Sequence, residues 1–340
     1  MRLLIVSDAW HPQVNGVVRS LDTVGQTLSK RGYEVTYLTP ETFWTVPLPT
    51  YPEIRVSMPS LRGVQEFIDT FGPQHIHIAT EGPLGLAVRG YCVARGLAFT
   101  TSYHTRFPEY LAARLPVPME WSYGYLRWFH SAASVTMVPT VSVLRDLRRK
   151  FFRHLAIWSR GVDLNAFSPG PKAMFAGLPG PHLLYVGRVA VEKNIEAFLD
   201  VEHSGTKIVV GDGPQRATLA ERFPGVVFTG KLTGSALADA YRSADVLVFP
   251  SRTDTFGNVM LEAMACGTPV AAFPVMGPID VIARGQGGAL DEDLGAAVRK
   301  ALAIPRTEAL VHARQFTWDA AADQFARQLV PLKRQIAHVA

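Results

Sequence analysis

Twice along the chain, short apolar runs alternate with helical stretches, and this alternation limits the possible folds more than any other feature. In the first half the runs are residues 3–7, 34–39, 75–79, 99–103 and 135–139, with helical stretches such as 16–31, 61–71 and 83–95 between them. A turn-rich segment, 160–171, follows and reads as a linker. The pattern then restarts with runs at 183–187, 207–210, 226–229, 246–249 and 270–273, separated by helical stretches at 195–201, 236–243 and 258–266. Strand, helix, strand at this spacing implies parallel sheets covered on both faces, because parallel neighbours need a long crossover. The expected class is α/β, with two doubly wound, Rossmann-like domains. A last stretch, 317–336, reads as a helix with Phe325, Leu329 and Leu332 on one face.

The bulk numbers agree with two cores. The chain has 340 residues, 48% of them hydrophobic and 19% charged. The apolar part of residues 1–8 is too short for a signal peptide and reads as the first strand. No run approaches the roughly 18 apolar residues of a membrane span, so the protein is expected in the cytoplasm. Cys92 and Cys266 lie in different halves, in apolar helical surroundings, and read as small core residues rather than a disulfide or metal ligands. The net charge of +5 is one-sided: residues 1–165 carry 17 Lys/Arg against 12 Asp/Glu, and residues 166–340 carry 17 of each. Such asymmetry points to an anionic surface or ligand on the first half.

The richest chemistry lies in residues 251–268. Asp254 and Glu262 are separated by seven residues, with Gly257 and Asn258 between them, after a buried-type strand and before a helix that stops at Gly267. A helix start offers unpaired backbone N–H groups to an anion or a hydroxyl-rich ligand, and a phosphate with sugar on both sides fits that mouth. After the run at 183–187, Arg188 and Lys193 stand five positions apart. Arginine can fork onto a phosphate and lysine acts as a point charge, although alone the pair is equally a solvated loop. Gly211-Asp-Gly-Pro214 and Gly230-Lys-Leu232 follow the next two runs, each readable alone as a plain turn. At the N-terminus Asn15-Gly16 precedes a helix, with no dinucleotide fingerprint and no Walker loop. His104 ends another strand, where a capping or core histidine is an equal reading. Asp291-Glu-Asp293 reads as a solvated helix cap rather than a metal motif.

Five segments occur in order across nearly the whole chain: Pro12-Gln-Val-Asn-Gly16, His104, Gly187-Arg188 with Glu192-Lys-Asn194, Gly211-Asp-Gly-Pro214, and the paired-carboxylate run ending Gly267-Thr-Pro-Val270. Together they resemble the retaining, nucleotide-sugar-dependent glycosyltransferases of family 4 (GT4), which have the two-domain GT-B fold. The run Arg252-Thr-Asp-Thr-Phe-Gly-Asn258 is similar to that of α-mannosyl- and glycolipid-forming members. The resemblance implies an acceptor domain at 1–165 facing a donor domain at 166–316 across a cleft, with the last segment, 317–340, crossing back to the first domain. It places Gly16 by the donor phosphates, His104 on the transferred sugar, Arg188 and Lys193 on the diphosphate, and Glu262 on the ribose. The backbone of Phe256, Gly257 and Asn258 would meet sugar hydroxyls or phosphate, and Gly213 and Leu232 would lie near the base. Asp254 stands where the family usually has glutamate, one methylene longer, and is assigned to the transferred sugar. The implied catalytic set is His104, Arg188, Lys193 and Asp254. The donor is a UDP- or GDP-sugar, with no cofactor and no metal, and the leaving phosphate takes the acceptor's proton on the same face.

The acceptor has to be read from the first half. Residues 107–130 are dense in aromatics, with Arg114 and Arg127 interleaved. Arg145, Arg148, Arg149, Lys150 and Arg153 follow on a second helix with Phe151 and Phe152. Rings beside cations suit a membrane interface, and equally the rings could be core and the cations a solvated face. With the one-sided charge, the expectation is a lipid or glycolipid acceptor and peripheral contact with an anionic membrane, on its inner face. A soluble sugar acceptor, or a nucleotide-sugar 2-epimerase needing no acceptor, is the alternative. Nucleic acid is not expected, because these aromatics fall on helices rather than on an open sheet face.

Overall fold

The computed structural model of the chain describes residues 1–11, 16–48, 51–112, 118–282 and 286–333. The chain divides into two units: Met1–Ser159 together with the residues from Trp318 on, and Arg160–Thr317.

The first unit contains strands β1 (Arg2–Val6), β2 (Glu34–Leu38), β3 (Thr45–Leu48), β4 (Tyr51–Ser57), β5 (His75–Ile78), β6 (Thr100–Ser102), β7 (Val135–Val138) and β8 (Leu155–Ile157). Its helices are α1 (Gly16–Lys30), α2 (Leu61–Phe71), α3 (Pro83–Ala94), α4 (Phe107–Ala112), α5 (Met119–Ser131) and α6 (Val141–Arg149). Six strands form a sheet in the order β2-β1-β5-β6-β7-β8, every pair parallel, while β3 and β4 make a separate antiparallel hairpin. Leu3, Leu4, Ile5 and Val6 are all fully buried, as a central strand covered on both faces requires. Local chemistry sets the helix ends. Ser60 caps α2 by accepting from the Gly63 N–H at 3.0 Å, and Gly72, with φ of +59°, closes that helix in the left-handed region.

The second unit contains β9 (His182–Val186), α7 (Ile195–Leu199), β10 (Thr206–Val210), α8 (Arg216–Arg222), β11 (Val227–Gly230), α9 (Gly234–Ser243), β12 (Val246–Phe249), α10 (Asn258–Ala265), β13 (Val270–Ala272), α11 (Pro278–Val281), β14 (Gly288–Leu290), α12 (Leu294–Leu302) and α13 (Arg306–Ala313). Its sheet, also parallel throughout, has the order β11-β10-β9-β12-β13-β14. The two sheets are thus both doubly wound but differ in strand order. Asp293 caps α12 through the Gly295 N–H at 2.9 Å, and Asp291 pairs with Lys300 at 2.6 Å, so the acidic run at 291–293 does the work of a helix cap.

The chain passes from the first unit to the second at the start of segment 160–171, and part of that segment is packed. Arg160, Val162 and Phe167 are buried, and Val162 and Phe167 belong to the core of the second unit. Burial pushes the Arg160 guanidinium down to about 9.

The last helix, α14 (Trp318–Gln328), is shorter than the expected 317–336. Pro331 explains the stop, since a proline disfavours helical backbone in the residue before it. Beyond the helix, Leu332 N–H donates to the Gln74 carbonyl at 2.7 Å and the His75 ring meets the Val330 carbonyl at 2.8 Å. Residues 334–336 lie outside the described residues. Phe325 is fully buried in the first unit, its ring 4.8 Å from that of Trp158 and 4.7 Å from that of His77. The helix therefore completes a core that residues 1–159 leave open. Phe325→Ala is expected to lower the unfolding free energy of the first unit by about 3–5 kcal/mol, the usual effect of deleting a buried phenylalanine, measurable by urea denaturation.

Candidate functional site

In a doubly wound sheet, ligands bind beyond the carboxyl ends of the strands where the winding reverses. In the second unit that point lies between β9 and β12, since the chain proceeds from β9 to β10 and β11 on one side and then crosses to β12 on the other. The loops leaving these two strands carry Arg188 and Lys193, and Asp254 to Asn258. Hydrogen bonds join them. Lys193 Nζ donates to Asp254 Oδ1 at 2.6 Å, Thr253 Oγ1 to the Glu192 carbonyl at 3.1 Å, and Asn194 Nδ2 to the Pro250 carbonyl at 3.0 Å. The Lys193 and Asp254 side chains are 23% and 19% exposed, so the pair is shielded yet reachable from solvent. Arg188 is half-buried, with its carbonyl held by the Tyr185 hydroxyl at 2.7 Å.

The other expected donor residues of the second unit follow strands of the same sheet. Gly213, after β10, lies so close to the loop after β9 that a Cβ there would stand 2.4 Å from the Val189 carbonyl oxygen. Leu232, after β11, is partly buried against the core. Gly257 precedes the first residue of α10 with φ of +90°, a left-handed conformation that favours glycine. Phe256 is 5% exposed and belongs to the core. Asn258 opens α10 and is half-buried. Glu262 is only 4% exposed, and its Oε2 accepts from the Tyr241 hydroxyl at 2.8 Å. A carboxylate so deep needs a donor, since burying one without a partner costs several kcal/mol.

Two neighbours of this edge escaped the sequence reading. Tyr241 pairs with Glu262 across 21 positions, a contact that only the packing of α9 on α10 creates. Gly277, in the loop after β13, approaches the carboxylate run so closely that a Cβ there would lie 2.8 Å from the Asp254 carbonyl oxygen. Its Gly-Pro turn after a strand was the available signal.

In the first unit the winding reverses between β1 and β5. Asp8, just past β1, receives the Leu84 and Gly85 N–H groups at 2.8 and 3.1 Å and the Thr80 hydroxyl at 2.9 Å, which caps the start of α3. Burial nevertheless holds its carboxyl above the usual range. Glu81 meets His130 Nε2 at 3.1 Å, and His130 Nδ1 meets the Thr101 hydroxyl at 2.9 Å. None of these was singled out from sequence, though Asp8 closes the first strand in plain view. Gly16 is the exposed first residue of α1, and Pro12–Asn15 before it lie outside the described residues. His104 follows β6, half-buried, with its ring edge-on to Trp158 at 5.6 Å. The next turn is held by Glu109, whose Oε1 accepts from Arg106 Nη2 at 2.5 Å and from the Tyr123 hydroxyl at 2.7 Å. Among the described residues, no group of three or more His, Cys, Asp or Glu side chains gathers in a way that could hold a metal ion.

Comparison with known proteins gives this geometry a family. Residues 14–166 match Glycosyltransferase Family 4, and residues 180–304 match Glycosyl transferases group 1. A GDP-mannose-dependent alpha-mannosyltransferase of Mycolicibacterium smegmatis is 31% identical, over 95% of this chain and 96% of its own. Alpha-monoglucosyldiacylglycerol synthase of Streptococcus pneumoniae is 28% identical, over 89% of this chain and 78% of its own. Among solved structures, sucrose-phosphate synthase from Thermosynechococcus elongatus matches with a TM-score of 0.80 at 22% identity, covering 96% of this chain and 97% of that one, a likeness of fold. With two parallel, doubly wound sheets and a relative similar along nearly its entire length, the chain belongs to glycosyltransferase family 4 and is a hexosyltransferase of the GT-B fold.

Proposed function

We propose that the protein transfers a mannosyl group from GDP-mannose to a membrane lipid or glycolipid, with retention of configuration and without a metal ion. The meeting of Lys193 and Asp254 at the winding reversal of the second sheet carries this reading. It sets a cation, with Arg188 on the same loop, beside the start of α10, where a diphosphate's charge can be met. The donor is taken from the mycobacterial relative, which is named for GDP-mannose. The acceptor class is taken from the pneumococcal relative, named as a glucosyldiacylglycerol synthase, and from the surface of the first unit.

In the proposed reaction the bond from the sugar's anomeric carbon to the β-phosphate oxygen breaks. Negative charge grows on the diphosphate and positive charge on the sugar ring. Arg188 and Lys193 stabilise the leaving group from fixed positions, which is where electrostatic catalysis is most effective. The acceptor hydroxyl attacks from the face the phosphate is leaving and passes its proton to the phosphate oxygen, so the new bond forms on the same face. His104 is assigned to the sugar's hydroxyls and Glu262 to the ribose. Asp254 holds Lys193 and is assigned to the transferred sugar.

The acceptor surface is assigned to α5 and α6. Trp121 and Trp128, seven residues apart, share a face of α5 and are 74% and 51% exposed. Phe151, just past the end of α6, is 78% exposed, and Arg145, Arg148, Arg149 and Arg153 around it are exposed too. Arg127 Nη1 bonds the Lys150 carbonyl at 3.1 Å, which brings the two helix ends together. Tyr123, Phe129 and Phe152 are buried, so the aromatic segment splits into core and surface. Arg114 lies outside the described residues. No helix among the described residues is long and apolar enough to cross a membrane, so the proposed contact is peripheral.

Three measurements test the proposal. Lys193→Ala should cut turnover by about 100-fold or more while changing donor affinity less, as expected for a group acting on developing charge. Near-normal turnover would sink its assignment. In a thermal-shift screen, GDP and GDP-mannose at about 100 times their dissociation constants should each stabilise the protein by roughly 2.7 kcal/mol. A response to UDP-sugars alone would overturn the choice of donor. The protein should sediment with vesicles containing anionic lipid and less with neutral ones, and Trp121→Ser with Phe151→Ser should weaken this. Absence of sedimentation would favour a soluble acceptor.

A further inference from the structure

We propose that Tyr241 is a positioning residue for Glu262, and that its hydroxyl sets how strongly the protein depends on the ribose hydroxyls of its nucleotide. The inference rests on the reading of Glu262 as the ribose-binding carboxylate. It begins from an anomaly inside α10. Met260, Leu261, Ala263, Met264 and Ala265 are all fully buried, and Glu262 sits among them at 4% exposure. In such surroundings the direction of a carboxylate is decided by whichever donor reaches it. Tyr241, itself fully buried on α9, supplies one to Oε2 at 2.8 Å.

The tyrosine is in turn held by the frame around it. Its ring lies edge-on to Phe167 at 5.8 Å, and its carbonyl accepts from the Thr268 hydroxyl at 2.6 Å. Arg306 then ties the ends of both helices together. Its Nη1 donates to the Ala244 carbonyl at 2.8 Å, and its Nη2 reaches the Arg242 carbonyl at 3.0 Å and the Cys266 carbonyl and Thr268 hydroxyl, both at 3.1 Å. The C-terminal ends of α9 and α10 are thereby fixed to one guanidinium, and the Tyr241–Glu262 distance follows from that frame. A carboxylate offers about four acceptor sites. With Oε2 held by Tyr241, that contact helps fix the plane in which the carboxylate would meet a vicinal diol. Without the tyrosine hydroxyl that contact is lost, and the match of the carboxylate to two ribose hydroxyls would loosen.

The test is a cycle between Tyr241→Phe and the ribose hydroxyls. Binding of GDP and UDP is measured by calorimetry, each beside its 2′,3′-dideoxy form, for the native protein, Tyr241→Phe and Glu262→Gln. The native protein should prefer the ribose form by about 10-fold or more, in line with a buried hydrogen-bonding site that rejects a ligand lacking its hydroxyls. In Tyr241→Phe that preference should fall to about threefold or less, because one part of the contact is shared between the two groups. With GDP-mannose as substrate, the donor KM should rise while kcat changes by less than about threefold, the pattern of a lost uniform-binding contact. A tyrosine that merely stabilises the fold would weaken both nucleotide forms in parallel and leave the preference intact, which overturns the proposal. A native protein that binds nucleotide with no ribose preference refutes the assignment of Glu262 and the proposal with it, whereas failure to bind any nucleoside diphosphate refutes the donor site itself. If Tyr241→Phe does not fold, 3-fluorotyrosine at position 241 keeps the shape and strengthens the donor. An unchanged ribose preference in that protein also overturns the proposal.

Discussion

Every strand in the two main sheets runs parallel to its neighbours, and the rest of the structure follows from that. Parallel strands must be joined by crossovers, which cover both faces of each sheet and bury the strands completely. The covered faces leave the carboxyl edge as the place where polar side chains can gather. Each sheet reverses its winding once along that edge, between β1 and β5 in one unit and between β9 and β12 in the other. The loops beside the second reversal hold Lys193 and Asp254 together, and those beside the first hold Asp8 against the start of α3. Similar sheets, wound in different orders, thus place different chemistry at equivalent edges.

Charge near these edges is managed by pairing rather than exposure. Lys193 meets Asp254, Glu262 meets Tyr241, and Asp8 meets two backbone N–H groups and a hydroxyl. Shielded pairs of this kind contribute little net stability, because desolvation offsets their attraction, but they fix where each charge stands. The proposed neutralisation of a diphosphate would benefit from that trade, since a cation already in place need not reorganise as charge develops. The aspartate at 254 fits the arrangement: its short side chain reaches the Lys193 ammonium at 2.6 Å with both groups still accessible.

The central strands were legible because they are apolar runs of four or five residues bounded by turn signals. β8 and β14 were not. Each has three residues, β8 is only partly buried, and Gly288-Ala-Leu290 has no strand character outside its sheet. The β3–β4 hairpin was hidden by Pro47 and Pro52, which argue against strands when read locally. The loops singled out as the candidate site stood out because their glycines, cations and carboxylates sit at strand ends in a recurring order. The pairings among them did not, since Lys193 and Asp254 are 61 positions apart and Tyr241 and Glu262 are 21 apart. The segment at 107–130 stayed ambiguous for a physical reason: Tyr123 and Phe129 face the core, while Trp121 and Trp128 on the same helix face solvent. Composition alone weighs the four alike.

The placement of α14 has a consequence for how the molecule comes into being. Phe325 fills a core whose other walls, His77 and Trp158, lie far earlier in the chain. A polypeptide emerging from the ribosome therefore exposes that apolar surface throughout the synthesis of all of Arg160–Thr317. The second unit, being contiguous, has all its residues before the first acquires its closing helix. The unit synthesised first is the last to be finished, and its unsealed core is the stretch of this protein most in need of protection during translation.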